Sequence, residues 1–448
     1  MGCGSRRSGL LNGASKHQLH RVLGVAFGLA VTVGTTIGAG ILRRPGAVAE
    51  LLRDPLLIMG MWLAGGLYGL LGTLSVAELG TMIPKAGGFF VWTERAFGRG
   101  PGFAIGWCDF LGNCASLAYA AITLVELAGA LHPPLKPWTT MLAITIVLVF
   151  AAIQAIGVKA GARTQEWTTI LLSATFLSLV AAAFWFGGAR GAEVALPPPS
   201  RGLVAALILA FQSIVVTYDG WYEAAYFAEE DTHPSHNLPR SMIGGVLSVT
   251  AIYLAINAAL LYVLPMHKLA GSEFPASDAA QVLFGSRGAM LVTLLSMCAL
   301  PSLINSSLLG ASRILFALGR TRLFWPKAAE VNAGGTPSVA LACTTAVGVV
   351  LVLTGTFERL LAMAGVFYVV LYCSAFASLL VLRFKEPDTP RPWPVWGYPW
   401  TTLIVLIGGV GFLIGAVITD GRNSVEAIGF MLLSVPIYWL VFGSLRAR

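Results

Sequence analysis

The stretch Val33–Leu42, VGTTIGAGIL, decides how this chain is read. It lies inside an apolar run over residues 22–52, long enough to cross a bilayer as a helix. Three glycines, Gly34, Gly38 and Gly40, and two adjacent threonines interrupt that run. Glycine in a helix interior costs about 1 kcal/mol relative to alanine, so this is the weakest part of the span. Hydrocarbon tolerates broken backbone only where protein buries it or where it lines a cavity. One reading is therefore a discontinuous helix around a polar site near mid-membrane. The other is close helix packing, because Gly34 and Gly38 have the four-residue spacing that lets helices touch. The stretch alone leaves both open.

The remainder of the chain supports a membrane setting. Of 448 residues, 56% are hydrophobic and 11% charged, against about 25% charged in a soluble chain. So little charge cannot solvate a globular surface of this size. The net charge of +8 reads as basic cytoplasmic loops rather than nucleic-acid binding. The cysteines, Cys3, Cys108, Cys114, Cys298, Cys343 and Cys373, form no C-x-x-C and no metal-ligand spacing with histidine. All but Cys3 lie in apolar runs and read as small buried hydrophobes. No metal or cofactor is expected. The tail 1–21 is polar and basic, without the apolar core of a cleaved signal. Arg6 stands where a myristoylation pattern needs Ser or Thr.

Apolar runs of spanning length recur near 22–52, 56–83, 101–131, 138–157, 167–188, 203–230, 241–264, 288–318, 338–355, 358–382, 401–419 and 426–445. That pattern predicts an all-α integral membrane protein with about twelve spans. With the N-terminus inside, most Lys and Arg collect on the inner side, among them Lys85, Arg95, Arg99, Lys159, Arg163, Arg320, Arg383 and Arg391. Both termini are then cytoplasmic, in the plasma (inner) membrane.

The sixth run carries a second anomaly, FQSIVVTYDGWYEAAYFAEE (211–230), with Asp219 beside Gly220 and Glu223 one turn on. A carboxylate at bilayer depth costs several kcal/mol unless it faces a cavity or partner. A second break five spans after the first fits two inverted five-span repeats, over 22–188 and 203–382, with two further spans at 401–445. At such breaks, free N–H groups attract an anion and free carbonyls a cation. N–H groups around Ala39 to Leu42 and carbonyls around Val216 and Thr217 together suit a zwitterion.

VGTTIGAGIL resembles the first-helix motif of the amino acid–polyamine–organocation (APC) permease superfamily. YDGWYEAAYFAEE with NLPRSM (237–242) is similar to the sixth-helix signature of its L-type amino acid transporter branch. AELGTMIPKAGGFFVWTERAFG (77–98), INSSLLGASRILFALGR with GGTPSVAL (334–341), and the RPWPVWGYPW loop resemble further segments of that branch. The resemblance implies twelve helices in a five-plus-five inverted repeat and amino acid transport by alternating access. It implies a substrate site at Ile37, Gly38, Ala39, Gly40 and Ile41 on the first helix, and Val216, Thr217, Asp219 and Gly220 on the sixth. Asp219, Glu223, Arg43, Ser306 and Ser307 are candidates for coupling or gating.

The chain also departs from the family. Val216 stands where an aromatic gate is common, and Leu172 where a fifth-helix basic residue is common. Arg43–Arg44 is a rare pair just after the glycine motif. The segment LHPPLKPWTT, where eukaryotic relatives place a cysteine for a glycoprotein partner, has none, so no disulfide-linked heavy subunit is expected.

Other polar residues have plainer readings. Glu78 reads as a structural pair or cap. Asp109 and Glu126 could line a proton path, although Glu126 lies near the outer end of its span. Glu229, Glu230, His233 and His236 read as an inner loop or gate network. Asn305, Ser306 and Ser307 could ligate an ion, but hydroxyls in such helices usually bond their own backbone. No nucleophile–base pair or phosphate-cradling loop supports an enzyme. The reading is a secondary transporter for neutral amino acids, by exchange or proton coupling. The alternatives are a cationic amino acid or polyamine carrier, and a receptor with a transporter fold; the latter lacks a loop long enough for an output domain.

Overall fold

The computed structural model describes residues 18–38, 40–187, 202–419 and 421–443. Its helices, in chain order, are α1 (Val25–Thr36), α2 (Gly40–Leu52), α3 (Pro55–Met82), α4 (Phe89–Phe97), α5 (Arg99–Leu131), α6 (Thr139–Ile156), α7 (Val158–Phe186) and α8 (Leu203–Thr217). They continue with α9 (Pro234–Val263), α10 (Met266–Ala270), α11 (Pro275–Phe284), α12 (Gly288–Arg320), α13 (Ser338–Thr354), α14 (Phe357–Lys385), α15 (Trp400–Thr419) and α16 (Gly421–Gly443). No strand occurs among the described residues; Leu23 and Asp231 form one isolated parallel bridge.

Each apolar run read from the sequence overlaps helix, the sixth only as far as Thr217. Among the described residues, eight helices are long and apolar enough to cross a membrane, or nine if α1 and α2 count as one bent span. The chain is a multi-pass helical membrane protein. Large apolar side chains lie exposed along its flanks, including Trp167, Ile170, Leu171, Ile404, Ile407 and Ile418, as expected of faces solvated by lipid.

Helix ends follow local chemistry. Asp54 caps α3 by accepting the Leu57 N–H at 2.8 Å, with Pro55 in the first turn, where its missing N–H costs nothing. The first span is discontinuous: α1 and α2 meet at 50° across residues 37–39. Ile37 has already left the helix, with φ −78° and ψ 97°.

The sixth span breaks differently from expectation. α8 ends at Thr217, and Gly220 has a φ of +109°, which favours glycine. No second α-helical half follows, only a 3-10 turn over Glu223–Phe227. Residues 220–228 are buried, and Trp221 and Tyr222 pack against Tyr372 with Phe376 stacked on Trp221. This enclosure is the condition under which non-helical backbone survives at membrane depth.

The core divides into two apolar clusters, and their boundary runs through both breaks. Phe27 and Val31 belong to one cluster with Trp221, Tyr222 and Phe227. Val33, Ile37 and Ile41 belong to the other with Ile214 and Tyr218. Each broken span therefore contributes one half to each cluster, and the polar breaks lie in the seam.

Candidate substrate site

The two breaks touch. A methyl group on Gly40 would lie 3.2 Å from Cγ2 of Thr217, and one on Gly220 would lie 2.9 Å from the backbone nitrogen of Thr36. Glycine at position 220 lets its backbone approach that of α1, and glycine at position 40 leaves room for the Thr217 side chain at the end of α8. The expected residues Gly40, Thr217 and Gly220 are thus brought together. Ile37 and Ile41 are buried beside them, and Gly38 faces open space. Ala39 lies outside the described residues.

Gly34 serves the other reading of the glycine motif. A methyl there would run into Ser302 Oγ and Thr169 Oγ1. Those groups form a buried polar cluster behind the break. Thr169 donates to the Ala30 carbonyl at 2.8 Å, and Gln165 donates to Ser302 Oγ at 2.8 Å. Asn305 donates to Gln165 Oε1 at 2.9 Å. On this face of α7, one turn from the buried Leu172, neutral donors approach the first span. On α12 the residues reaching the cluster are Ser302 and Asn305. Ser306 bonds its own helix through the Leu303 carbonyl at 3.2 Å. The sequence signal for this cluster was Gln165, Thr169 and Ser302 in otherwise apolar surroundings.

Tyr253 of α9 joins the breaks. Its hydroxyl lies 2.8 Å from the Thr36 carbonyl and 2.9 Å from the Thr217 carbonyl, the last residues of α1 and α8. These carbonyls have no acceptor role left within their own helices. Reading the sequence missed this residue, because one tyrosine in an apolar run carries no signal of its own.

Val216 and Asp219 line a cavity of about 210 Å³ together with Gly365, Tyr368 and Tyr372. Asp219 Oδ1 has no hydrogen-bond partner among the described residues. Deeper in, Glu223 is 2% exposed, and its Oε1 is also unpartnered there. Asp109 is buried on α5 and accepts from the Tyr226 hydroxyl at 2.6 Å and from Asn113 Nδ2 at 3.1 Å. A second, larger cavity of about 770 Å³ opens beside Gly40 and is lined by Arg43, Arg44, Glu50, Tyr119 and Phe274. Both arginines are exposed, and the Arg43 guanidinium sits 4.1 Å from the centroid of Phe274.

The loop that follows the 3-10 turn is held by ion pairs. Arg313 pairs with Glu230 at 3.0 Å, both side chains buried, and Arg320 pairs with Glu229 at 2.7 Å. The N–H groups of Val22 and Leu23 donate to the Glu230 carbonyl, fastening the start of the first span to this loop. Glu78 is fully committed: it meets Arg383 at 2.6 Å and Arg391 at 3.1 Å, and accepts from the Val395 N–H at 2.6 Å. His233 and His236 are exposed at this end.

Comparison with known proteins shows the family. The family model described as amino acid permease matches residues 23–442. The serine/threonine exchanger SteT of Bacillus subtilis (strain 168) is 30% identical, over 94% of this chain and 97% of its own length. The b(0,+)-type amino acid transporter 1 of Mus musculus is 26% identical, over 95% of this chain and 88% of its own. The large neutral amino acids transporter small subunit 2 of Homo sapiens is 28% identical, over 94% and 80%.

Proposed function

This chain belongs to the amino acid permease family, within the APC superfamily near its L-type branch, and we propose that it moves neutral amino acids by alternating access, as an exchanger or with protons. It is a transporter of amino acids, not an enzyme. The proposed architecture has twelve spans, a five-plus-five inverted repeat and both termini in the cytoplasm of a cell whose plasma membrane it crosses. The proposed site takes the substrate carboxylate at N–H groups of residues 39–42 and the ammonium near the Thr217 carbonyl and Asp219. No disulfide-linked heavy subunit is proposed.

The observation that carries this reading is the meeting of the two broken spans at Gly40–Thr217 and Gly220–Thr36, in the seam between two apolar clusters. Freed N–H groups and carbonyls at one point suit a zwitterion without any fixed counter-charge. The small adjacent cavity, with Val216, Tyr368 and Tyr372, favours a small side chain. The large cavity beside Arg43 and Arg44, with ion pairs holding the loop after the 3-10 turn, supports an outward-facing arrangement.

One observation favours the cationic alternative: Asp219 lines the small cavity, and its buried Oδ1 has no hydrogen-bond partner among the described residues. Uptake of a panel of radiolabelled amino acids into proteoliposomes, with and without internal counter-substrate and a pH gradient, tests both. Serine-sized neutral amino acids should exchange. Selective exchange of lysine, arginine or a polyamine would replace this reading with the cationic one.

A further inference from the structure

Three carboxyl groups, Asp109, Asp219 and Glu223, lie together where the third, sixth and eighth spans meet. The buried arginine of α12, Arg313, is already engaged in its pair with Glu230. Three carboxylates cannot all stay ionised in such surroundings, since each like charge and the lost hydration disfavour the next.

The hydrogen bonds show which carboxyl is left over. Asp109 receives the Tyr226 hydroxyl on one oxygen and the Asn113 amide on the other. Asn113 spends Nδ2 on Asp109, so its Oδ1 is turned the other way. That oxygen and Glu223 Oε1 crowd the same face of Gly310: a methyl group there would lie 3.4 Å from Asn113 Oδ1 and 2.7 Å from Glu223 Oε1. Glu223 Oε1 thus lies on the same side of Gly310 as an acceptor oxygen, buried and with no donor among the described residues. An ionised carboxylate oxygen buried without a donor is disfavoured, whereas a protonated carboxyl can itself donate to a nearby acceptor.

We propose that Glu223 is a proton-binding site, a neutral carboxylic acid that takes its proton from water and returns it to water as the sixth span changes exposure. The proposal rests on the permease reading and deepens it, adding Glu223 to Asp219 as a proton-coupling position beside the substrate site. The groups that face Glu223 are Asp109 from α5, Asp219, Tyr222 and Tyr226 from the sixth span, and Tyr368 from α14. On α9, which also packs on this turn, His236 and Arg240 are exposed. On α3, Glu78 is paired with two arginines.

The test does not require transport. Infrared difference spectra of the purified full chain, titrated through neutral and alkaline pH, should show the carbonyl band of a protonated carboxylic acid. That band should vanish in Glu223→Gln and persist in Asp219→Asn. Should Glu223→Gln fail to fold, Asn113→Ala supplies the reading, because losing the acceptor should shift the band to higher frequency. In proteoliposomes, Glu223→Gln should keep counterflow exchange and lose accumulation driven by a pH gradient. A carboxylic acid band unchanged in both Glu223→Gln and Asn113→Ala would overturn the assignment, whatever the protein transports.

Discussion

The hydroxyl of Tyr253 lies 2.8 Å from the carbonyl oxygen of Thr36, the residue at which the first span breaks. The same hydroxyl lies 2.9 Å from the Thr217 carbonyl at the other break. It has one proton for two acceptors, so it can donate to either helix end as they move relative to each other.

Removing that hydroxyl separates its packing from its bonding role. Tyr253→Phe keeps the ring contacts with Trp62 and Tyr218. A hydrogen bond within a membrane bundle contributes about 0.6 kcal/mol on average. The variant should therefore unfold at nearly the wild-type temperature while its maximal uptake rate falls severalfold. Unchanged uptake kinetics would reduce Tyr253 to a packing residue.

Gly40→Val should abolish uptake while leaving membrane insertion intact. Its branched side chain would be driven against Thr217, where even a methyl carbon sits 3.2 Å from Cγ2. Gly40→Ala needs a shift of only a few tenths of an ångström, so it should retain measurable uptake. Equal binding affinity in Gly40→Val and the wild type would place the substrate elsewhere.

Asp219→Asn distinguishes a coupling group from one that only orients backbone. It keeps an acceptor oxygen beside Gly220 but cannot titrate. No inner α-helix begins after Asp219, so there is little for it to cap. Accumulation driven by a pH gradient should fall while counterflow exchange continues. Wild-type uptake that requires sodium and ignores pH would contradict this expectation.

The Arg313–Glu230 pair should hold the loop after the 3-10 turn in place. Arg313→Ala leaves Glu230 charged, buried and unpaired, a loss of about 3–5 kcal/mol. Thermal unfolding of the purified variant should show it. The double replacement Arg313→Leu with Glu230→Leu should recover much of that loss, since no buried charge remains. A single variant as stable as the wild type would mean that water reaches Glu230.

Cysteines placed at Arg43 and Arg44 should react with a membrane-impermeant thiol reagent added outside intact cells. Both positions are exposed on the wall of the large cavity, and an arginine at bilayer centre costs about 2.5–3.5 kcal/mol on insertion scales. Labelling only from the cytoplasm would invert the topology proposed for the whole chain.

The glycine motif shows how far the sequence could be read. Its weakness as helix was visible from composition, yet its two readings could not be separated there. The fold uses both: Gly34 is pressed against Ser302 and Thr169, whereas Gly38 stands in open space at the break. Glu78 was legible as a structural pair, though its arginine partners are about three hundred residues away. The expected inner half of the sixth span was a fair reading of an apolar run. Aromatic packing of Trp221, Tyr222 and Phe227 replaced it with a 3-10 turn, an outcome that depends on rings from distant helices.

The sequence by itself determined that the chain lives in a bilayer and that its first and sixth apolar runs each carry a weak point. Those properties follow from local hydropathy, glycine and charge, which a linear pattern carries in full. Only the tertiary structure decided what meets at the weak points. Tyr253 between two carbonyls, Glu223 and Asn113 both packed on Gly310, and Ser302 reaching Gly34 from α12 are contacts between distant segments. Each depends on helix packing that brings residues far apart in the chain together, and no periodicity along the chain encodes that.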